Sequence, residues 1–147
     1  MADFSGKGVV AAIKTSPETI LEDIDKVMRL AHFESVLPKD IRTGLKINIS
    51  WQTWYPACST EPWQLEGVIQ TLRNSGYDNL VGVHNDTVVV DTSVGEFNNK
   101  HRFVTDKHNV PCIYLYEEDF EWFEYKPKKP FLILDKVYPD GVFIPKA

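Results

Sequence analysis

The sequence lacks the features that mark several large classes of protein. No apolar run approaches the ~20 residues that a membrane-spanning helix needs, and residues 1–8 contain no signal-peptide core. Neither GxGxxG after a strand nor GxxxxGK followed by Ser or Thr occurs, so a nucleotide-phosphate cradle is not indicated. An excess of positive charge is also lacking, because the net charge is -5, whereas nucleic acids and anionic membranes need a cationic surface. We therefore expect a soluble, cytoplasmic protein that binds neither nucleic acid nor membrane.

Cysteine is scarce as well, and its spacing points to no cofactor. The two cysteines, Cys58 and Cys112, lie far apart, and neither CxxC nor HExxH occurs. An iron–sulfur cluster is therefore not predicted, no metal ligand is assigned, and the sequence identifies no cofactor. Without a secretory signal, free thiols are the better interpretation, and a disulfide is the alternative.

What remains is a pattern of alternating strands and helices in 147 residues, a length that fits one domain. Apolar runs predict strands over 8–14, 45–50, 80–84 and 112–116. Helices are predicted after Ser16-Pro17 and from Pro62, with a weaker one between Gly95 and His108. This alternation predicts a three-layer α/β fold over residues 8–116: an open, mostly parallel sheet of about four strands with helices on both faces.

The pattern changes after Tyr116. Short strands joined by turns are predicted around 120–125, 131–134 and 142–144, and we expect them to form a small antiparallel extension over 117–147. Residues 117–125, the acid–aromatic strip, alternate acidic with aromatic side chains. Such a strip is typical of an edge strand or of a surface that contacts a partner.

A functional site is predicted where the parallel strands end, because ligands of open parallel sheets bind beyond the C-terminal ends of the strands. The loop over 50–62 is dense in polar and aromatic groups, and His84-Asn85-Asp86 follows the next strand. The predicted catalytic residues are Cys58, His84 and Asp86. The predicted ligand-binding residues are Lys14, Ser50, Trp51, Thr60 and Asn85.

Each of these assignments has a structural alternative. Cys58 precedes a helix N-terminus, whose dipole would favour a nucleophilic thiolate, and the alternative is a loop cysteine that packs against Trp54 or Trp63. His84 would be the acid–base group, and its alternative is a polar strand end followed by a turn. The loop aromatic residues would form either a pocket wall or a packed lid. His101 and His108 are interpreted as solvated helix positions.

Three sequence segments suggest a relationship to a known family. They are Thr60-Glu61-Pro62 between a strand and a helix, Val81-Gly82-Val83 in the next strand, and the closing segment 142–147. From about residue 8 onwards the order of elements resembles the N-terminal half of the domain-of-unknown-function 362 family. Members show Lys-Pro-Asn and Gly-Asp-Ser where this chain has Asn48-Ile49-Ser50 and His84-Asn85-Asp86, so the usual lysine and aspartate do not carry over. The resemblance implies a fragment, a split subunit or a short form, and it implies no settled reaction.

Three functions follow as hypotheses. The leading one is the small-molecule-binding part of an enzyme of unknown reaction. The second is a non-catalytic assembly module that uses the acid–aromatic strip, either as a homo-oligomer or paired with a missing C-terminal half. The third is a redox or metal-binding protein that uses Cys58 and His84.

Overall fold

A computed structural model describes residues 8–85, 87–117, 119–129 and 132–146 of the chain. The first half contains α1 (Ile20–Leu30), a short 3-10 turn (Phe33–Ser35), β1 (Thr43–Lys46) and α2 (Pro62–Asn74). The second half contains β2 (Leu80–His84), α3 (Thr92–Asn98), α4 (His101–Lys107), β3 (Cys112–Tyr114), β4 (Trp122–Tyr125), α5 (Leu134–Val137) and β5 (Val142–Pro145). No helix of this described part is long and apolar enough to cross a membrane.

The described strands form two separate sheets. β1, β2 and β3 make a parallel sheet in that order, in which Gly82 pairs with Leu45 on one side and Cys112 on the other. β4 and β5 make an antiparallel pair. The prediction of a mixed α/β fold with a parallel sheet and an antiparallel extension is therefore confirmed.

The predicted first strand, over 8–14, is wrong. This segment is irregular, and its apolar side chains are mostly exposed. A strand preference is largely a preference for packing against a paired neighbour, and none of the described strands pairs with this segment.

Several other elements also differ from the prediction. β1 begins two residues earlier than expected and ends at Lys46 rather than Ser50. The single helix expected over 95–108 is two helices, because Lys100 adopts a left-handed backbone with φ 67° that interrupts the hydrogen-bond ladder. In the segment around 131–134, residues 132–134 form no strand, and Leu134 begins α5. Phe131 lies outside the described residues.

Helix α2 shows why the sequence predicted it well. Pro62 occupies its first position, and the Glu61 backbone N–H donates to Gln64 Oε1 at 3.0 Å, which caps the first turn. Leu65, Ile69 and Leu72 recur at helical spacing and are buried. They form the main core cluster together with Ile47, Tyr77, Leu80, Val104 and Val110.

One face of the parallel sheet meets the helices α2, α3 and α4. Leu80 packs in the core with side chains of α2 and α4, and His84, four residues further along β2, lies on the same face because strand side chains alternate. His84 meets Glu96 of α3 there. By strand register, Cys112 and Tyr114 share this face, so residues that are distant in sequence converge at one corner.

Candidate functional site

The loop that follows β1 is closed by its own hydrogen bonds. The Asn48 backbone N–H donates to Thr60 Oγ1 at 3.0 Å, and the Thr60 N–H donates to the Asn48 carbonyl at 3.0 Å. Further along, the Ser50 N–H donates to Ser59 Oγ at 3.2 Å. Thr60, predicted as a ligand-binding residue, therefore closes the loop. Ser50, predicted likewise, helps to close it through its backbone N–H.

Side chains at the C-terminal end of α3 bind the backbone of this loop. Asn98 Nδ2 donates to the Gln52 carbonyl and Asn99 Nδ2 donates to the Trp51 carbonyl, each at 2.9 Å. Gly95 permits this approach, because a Cβ atom there would lie 2.6 Å from Ile49 Cγ2. The loop is thus anchored at several points rather than free.

His101 is buried rather than solvated, so its prediction as a surface residue is wrong. Its side chain is 0% exposed, and Nε2 lies 2.5 Å from the Thr60 carbonyl. A carbonyl oxygen can only accept, so Nε2 carries the hydrogen. Burial lowers the pKa of His101 and outweighs the hydrogen bond to Thr60, which acts in the opposite direction. His101 is therefore a neutral anchor for the loop.

His84 ends β2 and is 2% exposed. Its Nε2 atom lies 2.9 Å from Glu96 Oε1, close enough for an ion pair, but the geometry gives Nε2 no hydrogen bond. The imidazole stacks on the Tyr114 ring, with 5.7 Å between centroids. The stacked ring is therefore fixed in position, while its Nε2 atom makes no hydrogen bond with the residues that the structure describes.

Glu96 is the centre of a buried polar cluster. Tyr114 donates its hydroxyl to Glu96 Oε2 at 2.5 Å, and Arg102 donates to the same oxygen at 3.3 Å. Burial by itself would raise the pKa of Glu96, but the interactions with His84, Tyr114 and Arg102 together lower it to about 2. Burial and the hydrogen bond to Glu96 raise the pKa of Tyr114. The carboxylate is therefore charged, and the phenol stays protonated as its donor.

Cys112 lies next to this cluster. Its Sγ atom, His84 Nε2 and a carboxylate oxygen of Glu96 are all within 4.8 Å of one another. Gly82, its pair in β2, makes room for the sulfur, since a Cβ atom there would lie 2.6 Å from it. Burial, followed by the charge of Glu96, raises the pKa of the Cys112 thiol to about 12. Three atoms that commonly bind metals therefore converge, with the thiol protonated.

A cleft of about 250 Å³ opens beyond the ends of β1 and β2. It is lined by Lys46, Ile47, Asn48, Ile49, His84, Asn85, Thr87, Val90 and Thr92. A larger groove of about 500 Å³ lies between the start of α1 and the start of α2, and its lining does not include His84. Of these two openings, the smaller cleft is the candidate binding site, because His84 lines it.

The structure brings some of the predicted site residues together and separates others. His84 and Asn85 both line the cleft. Lys14 lies in the exposed irregular segment rather than at a strand end, and Trp51 is half exposed in the loop. Cys58 is half-buried in that loop, and the thiol grouped with His84 belongs to Cys112. Asp86 lies outside the described residues.

Sequence reasoning missed Glu96, Arg102, Cys112 and Tyr114 as site residues. The available signal was the spacing of Cys112 and Tyr114, which places a thiol and a phenol on one face of a strand. Whether that face is also the face of His84 depends on how β2 pairs with β3, and the sequence does not show this pairing. The position of Glu96 depended in turn on where α3 begins.

Comparison with known proteins adds no assignment. No family model, no curated protein and no solved structure matches this chain. The resemblance to the domain-of-unknown-function 362 family therefore stays a prediction.

Proposed function

We propose that this chain is the small-molecule-binding part of an enzyme of unknown reaction, with its site in the cleft beyond β1 and β2. One observation supports this above the others: His84 lines the cleft and also meets a buried, charged carboxylate, Glu96. Burying charged and imidazole groups is costly, and such groups are concentrated at functional sites. In this proposal His84 is the reactive group that lines the cleft, and Glu96 lies behind it.

The lining favours a small anionic molecule such as a carboxylate. Lys46 supplies the positive charge, while the amides of Asn48 and Asn85 and the hydroxyls of Thr87 and Thr92 supply hydrogen-bonding groups. A volume of about 250 Å³ is below the usual range for drug-sized ligands, which begins at about 300 Å³. The best candidates are therefore carboxylates with only a few carbon atoms.

Several finer predictions belong to this proposal. Cys58, Ser50, Trp51, Thr60 and Lys14 stay predicted site residues. A second helical layer on the other face of the sheet, and a cytoplasmic location, stay predictions as well.

Ligand-observed NMR with acetate, glycolate, lactate and succinate tests the proposal. We expect saturation transfer to at least one of them, and Lys46→Ala should weaken its binding by about tenfold or more, the loss typical of a charged hydrogen bond. Lys128→Ala, an exposed lysine outside the cleft lining, is the matched control and should bind as the unmodified chain does. The proposal fails if none of the four binds, or if Lys46→Ala binds them unchanged.

A second candidate function is assembly through the β4–β5 sheet. Several large apolar side chains are exposed there, on strands that pair only with each other within the described part of the chain: Trp122, Phe123, Tyr125, Phe143 and Ile144. A lone two-stranded sheet is marginally stable in water, so a partner that covers these side chains would stabilise it. In this second proposal that partner would be a second copy of the chain.

Light scattering on the purified chain tests assembly. An oligomer should dissociate in Trp122→Ala and persist in Trp54→Ala, whose tryptophan is comparably exposed at 51% against 47% but lies in the loop after β1. A monomer at all concentrations, unchanged by either substitution, would exclude self-assembly.

A further inference from the structure

Three donor atoms from three different elements converge behind the cleft. They are His84 Nε2 at the end of β2, a Glu96 carboxylate oxygen in α3, and Cys112 Sγ at the start of β3. We propose that these three residues bind one zinc ion at the floor of the cleft. This metal site would extend the proposed function. Only the identity of the molecule at the open metal position, a small carboxylate, rests on that function.

The donor set indicates which metal is preferred. Imidazole nitrogen, thiolate sulfur and carboxylate oxygen are all ligands of zinc, whereas calcium and magnesium take oxygen ligands. Catalytic zinc sites typically have three protein ligands and leave the fourth position to water or substrate. The combination of one nitrogen, one sulfur and one oxygen therefore favours zinc.

The spacing of the donors is close to what zinc requires. With bonds of about 2.0 to 2.3 Å, donors around a tetrahedral zinc ion lie roughly 3.3 to 3.7 Å apart. The three donors here lie within 4.8 Å of one another, and His84 Nε2 is 2.9 Å from Glu96 Oε1. The His84 and Glu96 donors would have to move slightly apart, and the Cys112 sulfur would have to move towards them. Small side-chain rotations would achieve both and make room for the ion.

The buried Nε2 atom of His84 is a second observation, because it lies beside the Glu96 carboxylate without hydrogen-bond geometry. His84 is 2% exposed, and Nε2 has no hydrogen bond to any of the described residues. A buried polar atom without a hydrogen bond is unfavourable, so native structures usually provide it with a partner. A metal ion would satisfy this nitrogen, and Glu96 Oε1 lies in the direction where that ion would bind.

Glu96 is held in the manner of a metal-binding carboxylate. Tyr114 and Arg102 both donate to Oε2, which leaves Oε1 directed at His84. Outer hydrogen bonds of this kind orient the ligands of metal sites. The charges also balance, because binding displaces the Cys112 thiol proton, and the resulting thiolate and the Glu96 carboxylate together neutralise the two charges of zinc.

Metal binding to the purified chain tests the proposal. The chain is stripped with a chelator under reducing conditions and titrated with zinc chloride against a chromophoric competitor, and in parallel with cobalt(II). We expect one equivalent to bind, and the cobalt form should show the near-ultraviolet charge-transfer absorption of a thiolate ligand. Cys112→Ser and Glu96→Gln should each weaken zinc binding at least tenfold, and Cys112→Ser should also abolish the absorption.

Cys58→Ser is the matched control, since it leaves Cys112 as the only cysteine. Retention of both zinc binding and the cobalt absorption in Cys58→Ser supports the site, even if Cys112→Ser does not fold. Absence of saturable zinc binding, or loss of the absorption in Cys58→Ser, overturns it. Zinc binding by a chain that binds none of the carboxylates would keep the metal site and reject the proposed ligand class.

Discussion

The unit from β1 to β3 buries apolar side chains in a core, whereas the β4–β5 sheet leaves large apolar side chains exposed. In the first, apolar side chains such as Ile69 are enclosed, and even the charged Glu96 is buried with partners. In the second, Trp122, Phe123 and Phe143 remain exposed. Buried apolar area is the main favourable term in folding. The contrast teaches that stability is concentrated in the parallel unit, whereas the antiparallel pair has its apolar surface available for contact.

Substituting the same residue type in both regions gives the sharpest test of this contrast. Ile69 is 0% exposed in α2, whereas Ile144 is 37% exposed in β5. We expect Ile69→Ala to lower the free energy of unfolding by ~2–5 kcal/mol, and Ile144→Ala by less than ~1 kcal/mol, because only the former leaves a cavity. Urea denaturation followed by circular dichroism measures both. Equal losses would mean that the antiparallel pair is packed as closely as the core.

A second test concerns the tight packing inside the parallel sheet. In Gly82→Ala the new Cβ atom would lie 2.6 Å from Cys112 Sγ, so we expect a loss of ~1–3 kcal/mol in the free energy of unfolding. Adding Cys112→Ala should restore part of it, because the clashing sulfur is removed. If the double variant is as unstable as the sum of the singles, the clash is not the cause. Gly44→Ala, on an exposed edge position of β1, is the milder control.

A third test concerns a buried charge near the start of α1. Asp23 accepts hydrogen bonds from Thr19 at 2.6 Å, Lys26 at 3.0 Å and Thr15 at 2.9 Å, and these interactions lower its pKa. Because the folded pKa is below the unfolded one, the carboxylate stabilises the fold above about pH 4 and loses this effect as the pH falls through the folded pKa.

Asp23→Asn should therefore be less stable than the unmodified chain at pH 7, and the difference in melting temperature should shrink as the pH falls below about 4. Asp135→Asn, on an exposed residue of α5, controls for the change in charge. A difference that is the same at neutral and acid pH would contradict the role of the carboxylate.

The smallest effect is expected from an ion pair of the antiparallel region. Lys146 pairs with Glu121, and both side chains are exposed. Such pairs contribute at most about 1 kcal/mol and are screened by salt. Lys146→Ala should thus change the urea midpoint little at low salt and not at all at high salt. A large, salt-independent loss would place this pair in a packed interface.

Local sequence signals predicted one part of the molecule well. Helix α2 and strand β2 appear where the sequence predicted them, because a proline at the first helical position and an apolar stripe are short-range signals. The same reasoning failed for 8–14, whose apolar run forms no strand. It also missed the break at Lys100, since Gly95 to Lys107 contains no proline that would interrupt a helix.

The candidate site likewise contains residues that the sequence predicted and residues that it did not. His84 and the cleft beyond β2 followed from the sequence, because a polar residue at the end of a buried strand is visible as a pattern. Cys58 was the predicted thiol of the site, yet the thiol that approaches His84 is that of Cys112. That pairing depends on strand register, which is set by contacts between residues that are 30 positions apart, as Gly82 and Cys112 are.

The sequence by itself determined the class of fold, the presence of three of the four predicted parallel strands and the strand end at which His84 stands, because periodicity and turn chemistry are local properties. Only the tertiary structure decided which groups surround that histidine. The register of β2 with β3 places Cys112 and Tyr114 on its face, and the docking of α3 places Glu96 against it. Such contacts arise from long-range packing and the burial of charge, which no local pattern encodes.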